Sequence, residues 1–285
     1  MGPVGYGIMK VRIHMTEELA HKYTALKVRL QELGSVAVAF SAGVDSTLLT
    51  YVAHAVLGDK MQAFTAQSDF VPARDAEAAA VFCQQHGITH TLVPFPILTV
   101  PHVQENPPDR CYYCKHALFA RMQELAAAQG LQAVVDGSNL DDDGDFRPGH
   151  RALKELGIIS PLHDAGMRKA DIRTLSRELG LPTWDKPSFA CLASRFPYGQ
   201  PLTPEGLERV NTAEEFLLAH GFTQFRVRDH GKLARIEVPP QDIDRLLDHT
   251  LRTAITERLH ELGYQYVTLD LQGYRTGAMN EVLGK

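Results

Sequence analysis

The chain has 285 residues, a formal net charge of −5, 44% apolar residues and 22% charged residues. That is the composition of a globular protein with ample core, in one large or two modest domains. The negative charge argues against general nucleic-acid affinity. No apolar run approaches membrane-spanning length, no signal-peptide pattern is present, and four cysteines are too few for a disulfide scaffold. The expectation is a reduced, cytoplasmic protein with no membrane and no nucleic-acid partner.

Residues 1–14 carry little pattern, and Met9 and Met15 are alternative starts. Thr16 to Leu33 reads as a helix, with Thr16 as N-cap and Gly34 as the stop. Val36 to Phe40 is an apolar run with the look of a buried parallel strand. Ser41-Ala42-Gly43-Val44-Asp45-Ser46 follows it directly, and Thr47 to Leu57 suits a packed helix. A short Gly/Ser loop between a strand end and a helix start gathers unpaired N–H groups and the positive end of the helix dipole, which suits a phosphate. Ala42 and Gly43 allow close approach, Ser41 and Ser46 offer hydroxyls, and Asp45 can hold Mg²⁺ against the phosphate. The loop is not a Walker A motif, because no Gly-Lys-Ser/Thr follows.

Met61 to Gln67 reads as a second strand, Pro72 to Gln85 as a helix stopped by Gly87, and Thr91 to Phe95 as a third strand. Alternating strands and helices argue for a parallel α/β sheet with ligands at the carboxyl ends of its strands. Cys83 lies among apolar neighbours and is expected to be an inert core thiol. Arg110-Cys111-Tyr112-Tyr113-Cys114-Lys115 opens the next helix; its cysteine pair suits a metal, an iron–sulfur cluster or a redox dithiol. Gln132 to Asp136 reads as a fourth strand. It ends in the acidic segment 137–149, where Gly137, Asp141 and Asp142 are candidates for positioning the nucleotide and Mg²⁺. Ile158 to Leu162 is a fifth strand candidate, and Lys169 to Gly180 a helix.

From Leu181 to Gln200 the pattern stops. A long irregular stretch rich in aromatics is expected to be functional, and Lys186 and Arg195 flank its Cys191, favouring a thiolate. From Thr203 a smaller unit begins: a helix from Pro204 to Ala219, a hairpin of Gln224–Asp229 with Leu233–Val238, a long helix from Pro239 to Leu262, and a last strand from Tyr266 to Leu271. Alternation puts Arg226 and Arg228 on one face. They suit a phosphate or carboxylate of a substrate, or else are solvent-facing strand charges.

The loop at 41–46 resembles the pyrophosphate loop of ATP pyrophosphatases, usually Ser-Gly-Gly-x-Asp-Ser; Ala42 replaces the first Gly, which is tolerable only if its φ is negative. With the Asp-rich segment 137–149, the Cys191 segment 186–199 and the small unit after it, the chain resembles the LarE family over most of residues 16–280. These are ATP-dependent sulfur transferases of nickel-pincer nucleotide biosynthesis. The resemblance implies a parallel-sheet ATP pyrophosphatase domain over 1–200 and a small α+β domain over 201–285 for substrate binding and oligomerisation. It implies adenylation of a carboxylate of a pyridinium-3,5-dicarboxylate mononucleotide, followed by thiocarboxylate formation. Asp45 and Cys191 would be catalytic. The Cys111/Cys114 pair resembles the branch in which three cysteines, with Cys191, hold a 4Fe–4S cluster; in the other branch the cysteine at 191 gives up its own sulfur. Arg226, Arg228, Tyr112 and Arg195 would hold the substrate phosphate, with Glu214 and Glu237 as lesser candidates. ATP, Mg²⁺, a sulfide or other sulfur donor and a homo-oligomer, a hexamer among the options, complete the expectation. A tRNA thiolase and a non-catalytic nucleotide-binding regulator are the alternatives.

Overall fold

The computed structural model describes residues 15–143, 148–188, 190–275 and 277–283. Helix α1 (Glu17–Leu33) starts where Thr16 Oγ1 accepts from Leu19 N at 3.2 Å. Strand β1 (Val36–Ala39) leads through the loop into α2 (Val44–Leu57), then β2 (Met61–Gln67), α3 (Ala73–His86) and β3 (His90–Pro94). Helix α4 (Arg110–Ala128) and β4 (Ala133–Val135) follow, then α5 (Pro148–Glu155), α6 (Pro161–Asp164) and α7 (Lys169–Glu178). The four strands form a fully parallel sheet in the order β3-β2-β1-β4. Both faces are covered, as a parallel sheet requires. Val36, Val38 and Ala63 pack with Leu26, Leu30 and Leu49 on one side. Ala37, Phe64 and Val134 pack with Phe119 and Met122 on the other.

The remainder comprises α8 (Pro204–Ala219), β5 (Arg226–His230), β6 (Leu233–Glu237), α9 (Ile243–Leu247), α10 (His249–Glu261) and β7 (Tyr266–Leu269). β5 and β6 are the antiparallel hairpin expected from the sequence, and β7 joins β6 in parallel. Val227, Ala234 and Ile236 pack against Leu217 and Leu259 to give this sheet its own core. A fourth apolar cluster packs Phe70, Phe95 and Val103 against Leu192, Phe196 and, on α8, Leu207 and Val210.

Three expectations are corrected. The fifth strand is a single bridge, Ile159 to Val135, because Pro161 has no N–H to continue a ladder and instead starts α6. The long helix over 239–262 is broken: Asp248, at ψ 131°, leaves helical geometry to cap α10 by accepting from Leu251 N at 2.9 Å. The last strand ends at Leu269 rather than Leu271.

The chain runs from β1 to β2 on one side of the sheet and β4 lies on the other side of β1, so a crevice opens at the carboxyl ends of β1 and β4.

Candidate active site

The loop after β1 sits in that crevice. Ser46 Oγ accepts from Ser41 N at 3.2 Å, lies 3.1 Å from Ser41 Oγ and donates to Gly43 O at 3.3 Å, which closes the turn on itself. Gly43 is the N-cap of α2 and lends no side-chain cap, so the first N–H groups of the helix remain for a ligand. Ala42 has φ 52°, the left-handed region, against the expectation of a negative value. The turn needs that conformation and an alanine adopts it under strain. Lys186 Nζ donates to Ala42 O at 3.1 Å, and Ala42 packs into the core at 3% exposure.

Gly137, at the end of β4, touches the loop from the other side. A Cβ there would stand 3.1 Å from Ser46 N and 3.3 Å from Asp45 Cβ, so the absent side chain is what lets the two strand ends meet. Asp45 is bonded by Lys169 Nζ and sits 3.5 Å from Asn139 Nδ2. Desolvation raises its pKa above the usual carboxylate range; Lys169 opposes that shift and the charge of Asp142 adds to it. A half-buried carboxylate held by one ammonium suits a divalent cation, which would favour its charged form. Asp141 and Asp142 are committed elsewhere. Asp141 accepts from Lys169 N at 2.8 Å and from Arg168 Nη1 at 2.7 Å, contacts that lower its pKa. Asp142 accepts from Asn139 N at 2.9 Å. Both hold the segment that carries Asn139 and Lys169 against Asp45. Residues 144–147 of the acidic segment lie outside the described residues.

From the loop a cleft of about 290 Å³ runs to Cys191, lined by Ser41, Gly43, Asp45, Lys169, Lys186 and Cys191 among others. Lys186 also bonds Asp75 at 3.1 Å, which ties α3, the loop and the Cys191 segment together. Neither Lys169 nor Lys186 stands in a motif: the sequence gives Lys186 only a charge role, and Lys169 looks like the first residue of an ordinary helix.

Cys191 at the far end immediately precedes a 3₁₀ turn, Leu192–Arg195; Cys111 and Cys114 lie one turn apart at the start of α4, outside the lining of the cleft. Desolvation, then the charge of Cys191, pushes the Cys111 thiol up although the residue is exposed as a whole; Arg110 and Lys115 act against this. Burial, then Cys191 and Cys111, pushes Cys114 up to about 12. Cys111 and Cys114, each pushed up by burial and by the charge of Cys191, fit a cationic group beside them, since a bound cation would favour the thiolates. Among the described residues no three His, Cys, Asp or Glu side chains form a set for a single metal ion. Cys83 is the core thiol expected, raised to about 12 by burial.

The candidate substrate groups are mostly buried in one network, which overturns the solvent-facing alternative. Arg195 is 2% exposed and bonds both oxygens of Glu214, at 2.8 and 2.7 Å. Its Nη1 also donates to Ala190 O and Cys191 O at 2.6 and 3.0 Å. Arg228 is likewise forked onto Glu237, at 2.9 and 2.8 Å, and reaches Ser194 O at 2.7 Å. Arg226 donates to Ser188 O at 3.1 Å and Phe225 O at 2.6 Å, with its guanidinium 5.0 Å from the Tyr274 ring centroid. Burial, then the charge of Arg195, brings its pKa down to about 10. Glu214 and Glu237 are thus the partners of Arg195 and Arg228. Tyr112 lies against α5, donating to Glu155 at 2.6 Å with Arg151 stacked 3.8 Å over its ring.

The asparagine synthase family model matches residues 22–101, which hold the loop, β1, β2 and β3. A pyridinium-3,5-bisthiocarboxylic acid mononucleotide synthase of Lactiplantibacillus plantarum is 39% identical over 268 residues, 94% of this chain and 96% of the relative. The chain belongs to the LarE family. An uncharacterized protein of Synechocystis sp. is 43% identical over 94% of this chain and all of its own length. An uncharacterized protein of Methanocaldococcus jannaschii is 27% identical over 85% of this chain and 91% of its own length. Among the described residues of this LarE-family chain no helix is long and apolar enough to cross a membrane.

Proposed function

We propose that the protein is an ATP-dependent sulfur transferase that acts on a carboxylate of a pyridinium-3,5-dicarboxylate mononucleotide. The observation that carries this is the single cleft with the pyrophosphate loop at one end and Cys191 at the other. A carboxylate is a poor acyl donor until its oxygen is a good leaving group. Attack of the carboxylate oxygen on the α-phosphorus of ATP forms the acyl adenylate and releases pyrophosphate. Attack of a sulfur nucleophile on the acyl carbon then expels AMP and leaves a thiocarboxylate.

Ser41, Gly43, Ser46 and the start of α2 receive the phosphates, and Asp45 is the residue to hold Mg²⁺. Lys169 and Lys186 offset charge that develops on the departing pyrophosphate. Arg226 is assigned to the substrate phosphate; an anion beside it would relieve the burial penalty that lowers its pKa. Arg195 and Arg228 contribute by holding the backbone on both sides of Cys191. Residues 1–200 are read as the ATP pyrophosphatase domain and 201–285 as the substrate domain, in a cytoplasmic homo-oligomer.

Cys111, Cys114 and Cys191 are the residues that would hold a 4Fe–4S cluster, which when bound supplies a sulfide on the iron without a protein ligand. Formation of AMP and pyrophosphate from ATP that depends on the pyridinium substrate is the test of the transferase reading. Its absence, with tRNA or no substrate serving instead, overturns that reading. Iron and sulfide assays on protein purified without oxygen test the cluster. Loss of one H₂S in mass per sulfur delivered would assign the sulfur to Cys191 instead.

A further inference from the structure

The geometry points to Asn106 and Arg110 as positioning residues that hold the Cys191 loop in register with the Cys111–Cys114 turn of α4. The inference rests on the reading that the three cysteines act together. The described residues of the Cys191 loop have no strand ladder to fix them, so their place must come from side chains and from packing.

Asn106 is fully buried and holds φ 55°, a left-handed conformation that asparagine tolerates better than most residues. Its carboxamide faces both cysteine segments. Nδ2 donates to Pro197 O at 2.8 Å and to Phe196 O at 3.4 Å, downstream of Cys191. Oδ1 accepts from Nη1 of Arg110, the residue before Cys111. The main chain of Asn106 adds a bond from Gly199 N to its carbonyl at 2.9 Å. Arg110 is 3% exposed, and its Nη1 also donates to Ala193 O at 3.2 Å, two residues past Cys191. Its guanidinium carbon lies 6.0 Å from the centroid of the Phe70 ring, whose own carbonyl accepts from Leu192 N at 3.0 Å. Carbonyls at 193, 196 and 197 are therefore gripped by two side chains on the segment that leads into Cys111. Neither side chain lines the cleft. Their effect on sulfur delivery passes through the cysteines they place.

The register is readable without any cluster. Dibromobimane becomes fluorescent when two thiolates displace its two bromides, and peptide mass spectrometry separates Cys111–Cys114 links from links that join Cys191 to either. On the full-length, reduced, cluster-free chain, the ratio of Cys191 links to Cys111–Cys114 links reports the effective concentration of Cys191 at the helix. That ratio should fall by roughly threefold or more in Asn106→Gly, which keeps the backbone conformation, and in Arg110→Lys, which keeps the charge but not the fork. Links within the helix turn should be unchanged. A general loss of stability would move both kinds of link together, and thermal melts identify any variant that fails to fold. Asn106→Asp, which removes the donor and adds a charge that Arg110 can pair, then takes its place. A ratio that changes by less than threefold in the folded variants overturns the inference and leaves the three-cysteine reading standing. If the wild-type chain gives no Cys191 link at all, the three-cysteine reading falls and the positioning role falls with it.

Discussion

The two ends of the cleft are built by opposite means. The nucleotide end is built on one contiguous stretch, Ser41 to Ser46, whose turn is closed by local hydrogen bonds and whose N–H donors come with any helix start. The sulfur end comes from segments near 110, 191, 214 and 227, held by buried guanidinium–carboxylate pairs. The first end adds the backbone dipole to the half-exposed charges of Asp45, Lys169 and Lys186. The second brings ionised side chains out of water, which is tolerable only while every partner is present. Damage at the first should therefore stop chemistry and spare the fold, and damage at the second should stop chemistry and weaken the fold.

The largest expected effect tests the first half of that contrast. Asp45→Asn should cut pyrophosphate release by about a hundredfold or more, since the bridge to Mg²⁺ loses its charge. Its thermal midpoint should stay near that of wild type, and near wild-type AMP formation would remove Asp45 from the site. The second half is sharpest at Glu214, which accepts from Arg195 and, at 3.0 Å, from Val227 N. Glu214→Ala strands a buried guanidinium and should cost about 3–5 kcal/mol in urea unfolding. A cost near zero would mean water reaches the pair and the two ends do not differ as described.

Arg226→Ala should weaken binding of the mononucleotide substrate by about 1.5–3 kcal/mol, with ATP affinity nearly unchanged in calorimetry. Equal losses for both ligands would move this arginine to the nucleotide end.

The pH profile offers a finer distinction. Asp45 must be ionised to hold Mg²⁺, and its pKa is raised by desolvation. Pyrophosphate release should thus decline on acidification at a pH above that expected of an ordinary aspartate, and Lys169→Ala should move the decline higher still. Raising Mg²⁺ should push it back down, because the cation favours the carboxylate. A Mg²⁺-independent midpoint would detach it from Asp45. The smallest effect is at Ala42. Ala42→Gly relieves the left-handed strain but gains unfolded-state entropy, for a net stabilisation of about 0.5 kcal/mol. A clear loss of stability would show that the buried methyl matters more than the strain.

Much of the fold is legible because its signals are local. Thr16 caps α1, β2 spans Met61–Gln67 as read, and Thr203 caps α8 by accepting from Gly206 N. The departures also have local causes seen in hindsight: Pro161 ends a would-be strand and Asp248 breaks a would-be helix. Ala42 misled because a motif position shows only residue type, whereas its φ of 52° follows from the turn that Ser46 closes.

The sequence by itself determined the class, the parallel sheet, the phosphate loop and the three candidate cysteines, since strand periodicity, turn chemistry and motif spacing act over a few residues. Only the tertiary structure decided what the charges do. Arg195 with Glu214 and Arg228 with Glu237 look like surface or ligand-binding residues until burial makes them each other's partners. Lys169 gains its role from Asp45, 124 residues away, and Asn106 from carbonyls 90 and 91 residues away. Coulomb and hydrogen-bond energies depend on distance and solvent exposure in three dimensions, and neither is a property of position along the chain.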